Sequence, residues 1–208
     1  MVLGVQAAVG NYADSLEGLQ LGFLNIGREV SGLQLGLVNV AWEKGGTQFG
    51  LINYARDGVL DVEVYQDELN FTHLLIRSGG KRLYSLIDSG APAGGGKVFN
   101  ASYGFGLGLL FKVAGWRFNT EVVGHYLQSK EPEVIDHEGY LRSQILAGHS
   151  LFLDRLGWFV GINHNVYFGP EEMFEEQMHP AFTARRTGNR HQSRWFGAQA
   201  GIRYSFQH

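Results

Sequence analysis

The sequence predicts an all-β fold, an antiparallel transmembrane β-barrel of about 12 strands with a range of about 10 to 14. Three observations point to it. A Gly-x-Gln-x-small-x-x-Asn-x-small unit recurs at Gly4, Gly18, Gly32 and Gly46, each copy 14 residues after the last. After Val98, apolar residues alternate at period two over long stretches, and the connections between those stretches alternate between short and long.

The repeats come first. The copies read GVQAAVGNYA, GLQLGFLNIG, GLQLGLVNVA and GTQFGLINYA, which puts Gln6, Gln20, Gln34 and Gln48 in register with Asn11, Asn25, Asn39 and Asn53. Polar connectors such as DSLE and REVS separate them. Read as strand plus turn, residues 1–58 supply four strands of the barrel. Their parity is uneven, because Leu33, Leu35 and Leu37 share one face while Val38 and Val40 fall on the other. That flip fits either a bulged barrel strand or a small parallel β-solenoid with Gln and Asn ladders, and closure of the flanking long strands favours the barrel. Residues 59–89 read as about three weaker strands, the last two joined at Gly79-Gly80.

Five long strands fill 98–206. In the first, Phe99, Ala101, Tyr103, Phe105, Leu107, Leu109 and Phe111 oppose a face dominated by Asn100, Ser102, Gly104, Gly106 and Gly108. The last sets Phe196, Ala198, Ala200, Ile202, Tyr204 and Phe206 against Trp195, Gly197, Gln199, Gly201, Arg203 and Ser205. Such lengths exceed what soluble strands usually need and suit a tilted bilayer crossing. Residues 90–97, 129–139 and 169–194 are long connections, whereas 113–115 and 154–157 are short, the rhythm of external loops and periplasmic turns.

Composition narrows the class. Gly is 30 of 208 residues and charged residues are 18%, which favours one ordered domain over 1–208 rather than a disordered chain. A net charge of −3 removes the electrostatic case for nucleic acid as a partner. No apolar run is long enough for a transmembrane helix, and residues 1–30 lack the pattern of a secretory signal. A repeat already in phase at Gly4 suggests a longer array or a removed leader.

The ending AGIRYSF resembles the C-terminal recognition signal of bacterial outer-membrane β-barrels, with Gln207 and His208 following the usual terminal aromatic position. The Gly-x-Gln-x-Gly-x-x-Asn array resembles the leptospiral-type surface-repeat proteins of Gram-negative bacteria. The resemblance implies a cell outer-membrane location and brings no catalytic residues with it.

Nine residues on the polar parities of the long strands are the expected lumen lining: Arg117, Glu121, His125, Arg142, Gln144, Asn163, Asn165, Gln199 and Arg203. They suit either a narrow ion-selective pore or a plugged interior of paired charges. His149 and His164 share an apolar parity and read as diagonal neighbours, but two imidazoles do not make a metal site. His149-Ser150 invites a lipid-hydrolase reading that strand geometry opposes, since adjacent side chains point to opposite faces. Loop 169–194 carries PEEMFEEQMH, a candidate short helix, followed by Arg185, Arg186, Arg190 and Arg194.

The expected function is therefore a surface or structural component of the outer membrane, or a subunit of an envelope complex, with a narrow pore as one form of it. Its expected partners are outer-membrane lipid and envelope proteins. No catalytic, cofactor or metal residue is assigned. An outer-membrane lipid-modifying hydrolase and a soluble β-solenoid-like binding protein are the alternatives.

Overall fold

The computed structural model describes residues 1–94, 99–129, 139–152, 155–169, 183–187 and 190–207, and these form two sheets. The predicted loop helix falls outside the described residues.

The repeats build the first sheet, whose strands all run parallel. It contains β1 (Val2–Ala7), β2 (Gly10–Leu21), β3 (Leu24–Val30), β4 (Leu33–Leu35), β5 (Val38–Lys44), β6 (Thr47–Phe49) and β7 (Ile52–Ala55). Each residue pairs with its own equivalent one repeat later: Gln20 with Gln34, Gln34 with Gln48, Asn25 with Asn39, Asn39 with Asn53. An exact sequence repeat satisfies this arrangement because like side chains then stack as hydrogen-bonded ladders. Gln34 Nε2 donates to Gln20 Oε1 at 2.8 Å and Asn25 Nδ2 donates to Asn39 Oδ1 at 2.8 Å. Gly18 and Gly32 are required by the rung spacing, since a Cβ on Gly32 would lie 1.9 Å from the Gly18 carbonyl oxygen. Ala13, Leu16, Val30, Ala41 and Ala55 fill the rest of the interior.

The repeats are thus rungs of a parallel solenoid and contribute no barrel strand. The phase flip after Leu37 is the corner of a rung, where the chain turns from β4 into β5.

The second sheet closes on itself with eight strands rather than twelve. Its members are β8 (Val59–Asp67), β9 (Phe71–Gly79), β10 (Leu83–Pro92), β11 (Phe99–Val113), β12 (Trp116–Ser129), β13 (Gly139–Phe152), β14 (Leu156–Gly169) and β16 (Arg190–Ser205), while β15 (Thr183–Thr187) pairs with β16 alone. β16 closes the ring by pairing antiparallel with both β14 and β8. The three strands expected in 59–89 and the five expected in 98–206 are all present. One end carries the tight turns. Between β11 and β12 the turn is Ala114-Gly115, both at positive φ (50° and 82°), the geometry that a two-residue hairpin demands.

The solenoid joins the barrel at this tight-turn end. Asn53 donates from its backbone N–H to Ser78 Oγ at 3.1 Å and from Nδ2 to Ser85 Oγ at 2.7 Å, so two barrel serines take the place of the next ladder residue. Nearby, Asp57 accepts from the Gly45 N–H at 3.0 Å and pairs with Lys81 Nζ at 2.9 Å.

Candidate functional site: a filled barrel interior

Alternation along each barrel strand sends one parity inward, and the inward set mixes polar and charged residues with two buried apolar clusters. All nine residues expected to line the lumen are buried. They do not stand alone. Asp61, Glu63, Asp67, His73, Arg77, Tyr84 and Asp88, from β8, β9 and β10, are buried with them, and five of these seven bond directly to Arg117, Arg203, Arg142 or Glu121. Sequence reading missed these seven because 59–89 looked weakly stranded, yet the signal was there. Asp61, Glu63, Tyr65 and Asp67 keep one parity, with Val62 and Val64 on the other.

Near the tight-turn end, Arg117 Nη2 meets Asp61 Oδ2 at 2.5 Å, and Arg117 Nη1 donates to Ser205 Oγ at 2.8 Å. Arg203 pairs with Glu63, donates to Asn119 Oδ1 at 3.1 Å, and lies over the Phe159 ring at 5.3 Å.

In the middle, Glu121 collects four donors. Arg77 approaches through Nε at 2.5 Å and Nη2 at 3.0 Å, the Tyr84 hydroxyl donates at 2.5 Å, and Gln144 Nε2 donates at 2.5 Å. Arg77 also pairs with Glu63, so one guanidinium bridges two carboxylates from β8 and β12. The fork of a guanidinium suits this bridging in a way a lysine ammonium would not.

Toward the long-connection end, Arg142 joins Asp67 at 2.6 Å, Asn165 at 3.0 Å and Gln199 at 3.3 Å. His73 stands between Asp88 (Nδ1, 2.6 Å) and Asp67 (Nε2, 3.1 Å), an arrangement that an imidazolium satisfies with both N–H groups. Tyr65 stacks on His73 at 4.5 Å and donates to Asp88 at 2.6 Å. Asn163, Asn165 and the Trp195 indole N–H converge on Glu68. Phe71, Phe99, Leu127, Tyr140, Tyr167 and Trp195 then form an apolar layer across this end, Phe99 being turned inward, against its expected parity, by the register shift between Phe99 and Ala101.

These contacts cross the barrel from wall to wall, β9 to β12, β8 to β12 and β8 to β13. An interior charge left without its partner is costly, and each guanidinium here meets a carboxylate. The arrangement stiffens and fills. At the opposite end a cavity of about 330 Å³ opens among Asp57, Asp61, Lys81, Lys112, Arg117 and Gln207, short of the Arg203 layer.

The structure separates the two histidines read as neighbours. His149 lies opposite Trp158 and His164 opposite Ser143, six positions along β14, or roughly 20 Å at ~3.3 Å per residue. His149 Nδ1 donates to the Ser150 carbonyl at 2.7 Å, and its ring packs edge-on against Trp116, so it is not poised as a base for Ser150. Ser102 Oγ does contact His125 Nδ1 at 3.1 Å, but both are buried within the interior. Among the described residues, no group of three or more His, Asp or Glu is placed to hold a metal.

No protein-family model, curated protein or solved structure matches the chain.

Proposed function

We propose that this chain is an outer-membrane β-barrel with a sealed lumen, a structural component of the cell envelope rather than a channel. The observation that carries this reading is the division of the barrel wall, with charge and hydrogen bonds inside and an apolar belt outside. Phe105, Val122, Ile145, Val160, Ile162 and Ile202 are outward-facing and at least 41% exposed, far more apolar exposure than a wall in water sustains.

The belt has membrane dimensions. Trp116, His149 and Trp158 lie in register at the tight-turn end, and Tyr126 and Phe168 mark the other margin. From Trp116 to Tyr126, at ~3.3 Å per residue and a tilt of about 40°, the wall rises about 25 Å, the height of an outer-membrane apolar band between its aromatic girdles.

Reconstitution tests the reading. The purified chain requires detergent, folds into phospholipid vesicles as a heat-modifiable species on gels, and carries no ion current in a planar bilayer. A chain that is monodisperse without detergent contradicts the membrane part, and steady single-channel steps contradict the seal.

A further inference from the structure

We propose that the repeat solenoid is itself a membrane element, inserted beside the barrel into the leaflet on the tight-turn side, with lipid acyl chains covering its outer surface. This rests on the reading of the barrel as a membrane protein.

Away from the small apolar cluster near its charged connectors, the solenoid is inside out relative to one built for water. Its interior holds Gln and Asn ladders: Gln20, Gln34, Asn25 and Asn39 have no solvent exposure. Its surface is apolar. At the corner of each rung stands Val9, Phe23, Leu37 or Leu51, exposed by 76%, 63%, 46% and 42%. The hydrophobic effect gives no reason in water to bury amides and present leucines. In hydrocarbon the preference reverses, because every polar group must then be satisfied internally. The two middle rungs meet that demand. Their backbones pair on both sides, and each ladder amide both donates and accepts.

Charge fixes the direction of insertion. Every Asp, Glu, Lys and Arg in 1–55 lies in the connectors, at Asp14, Glu17, Arg28, Glu29, Glu43 and Lys44. The rung therefore has one charged rim and one apolar rim. The charged rim sits level with the barrel's β9–β10 turn, because Gly45 and Lys81 share Asp57. Further along the rung, Asn53 reaches Ser78 and Ser85, which lie above that turn on the barrel wall. The apolar rim thus points the same way as the barrel belt. Five residues from Trp42 to Leu37 cover about 17 Å at ~3.3 Å each, close to half of the ~30 Å hydrocarbon core. The rung matches one leaflet in depth.

The chain has no cysteine, so single spin labels report position without background. Phe23→Cys, Leu37→Cys, Glu29→Cys and Phe105→Cys are labelled in the full chain and reconstituted in phosphatidylethanolamine–phosphatidylglycerol vesicles. Accessibility is then measured to oxygen, which partitions into hydrocarbon, and to a water-soluble nickel chelate. The expected result is high oxygen and low nickel accessibility at 23, 37 and 105, with the reverse at 29. Nickel access at 23 and 37 with lipid exposure at 105 overturns the solenoid proposal and leaves the barrel reading standing. Protection of 23 and 37 from both reagents also overturns it, because protein then covers the surface. Nickel access at 105 as well overturns both.

Discussion

Replacing Glu121 with alanine attacks the interior network where it is most concentrated. The carboxylate is 2% exposed and accepts four hydrogen bonds, two from Arg77 and one each from Tyr84 and Gln144. Its loss leaves Arg77 with Glu63 alone and strands the Gln144 amide. Removing one partner of a buried ion pair costs about 3–5 kcal/mol, a large part of a typical domain stability of about 5–15 kcal/mol. Urea unfolding of the reconstituted protein, followed by tryptophan fluorescence, measures it. With a slope of about 2 kcal/mol/M the midpoint falls by about 2 M. Arg77→Met is expected to cost as much, since it leaves Glu63 and Glu121 facing each other, while the Arg77→Met, Glu121→Met pair costs much less than the sum. A Glu121→Ala loss below about 1 kcal/mol would refute the reasoning, because it would mean that the carboxylate is hydrated and the interior open to water.

The solenoid and the joint give further tests. Gly32→Ala places a methyl 1.9 Å from the Gly18 carbonyl oxygen and should cost about 3 kcal/mol, seen as protease cleavage within 1–55 while the barrel strands stay resistant. Asn39→Leu removes the acceptor of Asn25 Nδ2 and the donor to Asn53 and Phe49, and each stranded group should cost about 1–3 kcal/mol, read by hydrogen exchange in β3 and β7. At the joint, partial burial opposes ionisation of Asp57, but the Gly45 N–H and Lys81 outweigh it and hold the carboxyl below its ordinary 3.8. A folded-state value below the unfolded one stabilises above pH 3.8, and that contribution disappears as pH falls through the folded value. Comparing wild type with Asp57→Asn across pH should show a difference of at most about 1 kcal/mol near neutrality, given the exposure of Lys81, vanishing in acid.

Much of the barrel was legible because a closed wall with unlike inner and outer faces writes them at period two. Phe105, Leu107 and Leu109 against Gly104, Gly106 and Gly108 needed no other information, and the nine interior candidates came from the same parity. The solenoid was harder. Alternation is the same in a barrel strand and a solenoid strand, and only the pairing partner differs, which is a long-range fact. The decisive clue was the exactness of the repeat. An antiparallel meander sets Gln20 opposite some unlike residue, whereas parallel rungs set it opposite Gln34, and only the second arrangement rewards identity at every copy. The interior of β8 and β9 stayed hidden because Glu63 and Arg77 gain their meaning from Arg203 on β16 and Glu121 on β12, far away in sequence.

Contact between lipid and the outer parity tests the central claim most directly. In nanodiscs, nuclear Overhauser effects from acyl-chain methylenes should reach the methyls of Val122, Ile145, Val160, Ile162 and Ile202, and should miss inward-facing Val123 and Leu146. Water cross-peaks at the outward methyls, with no lipid contact, would contradict a sealed barrel standing in the membrane.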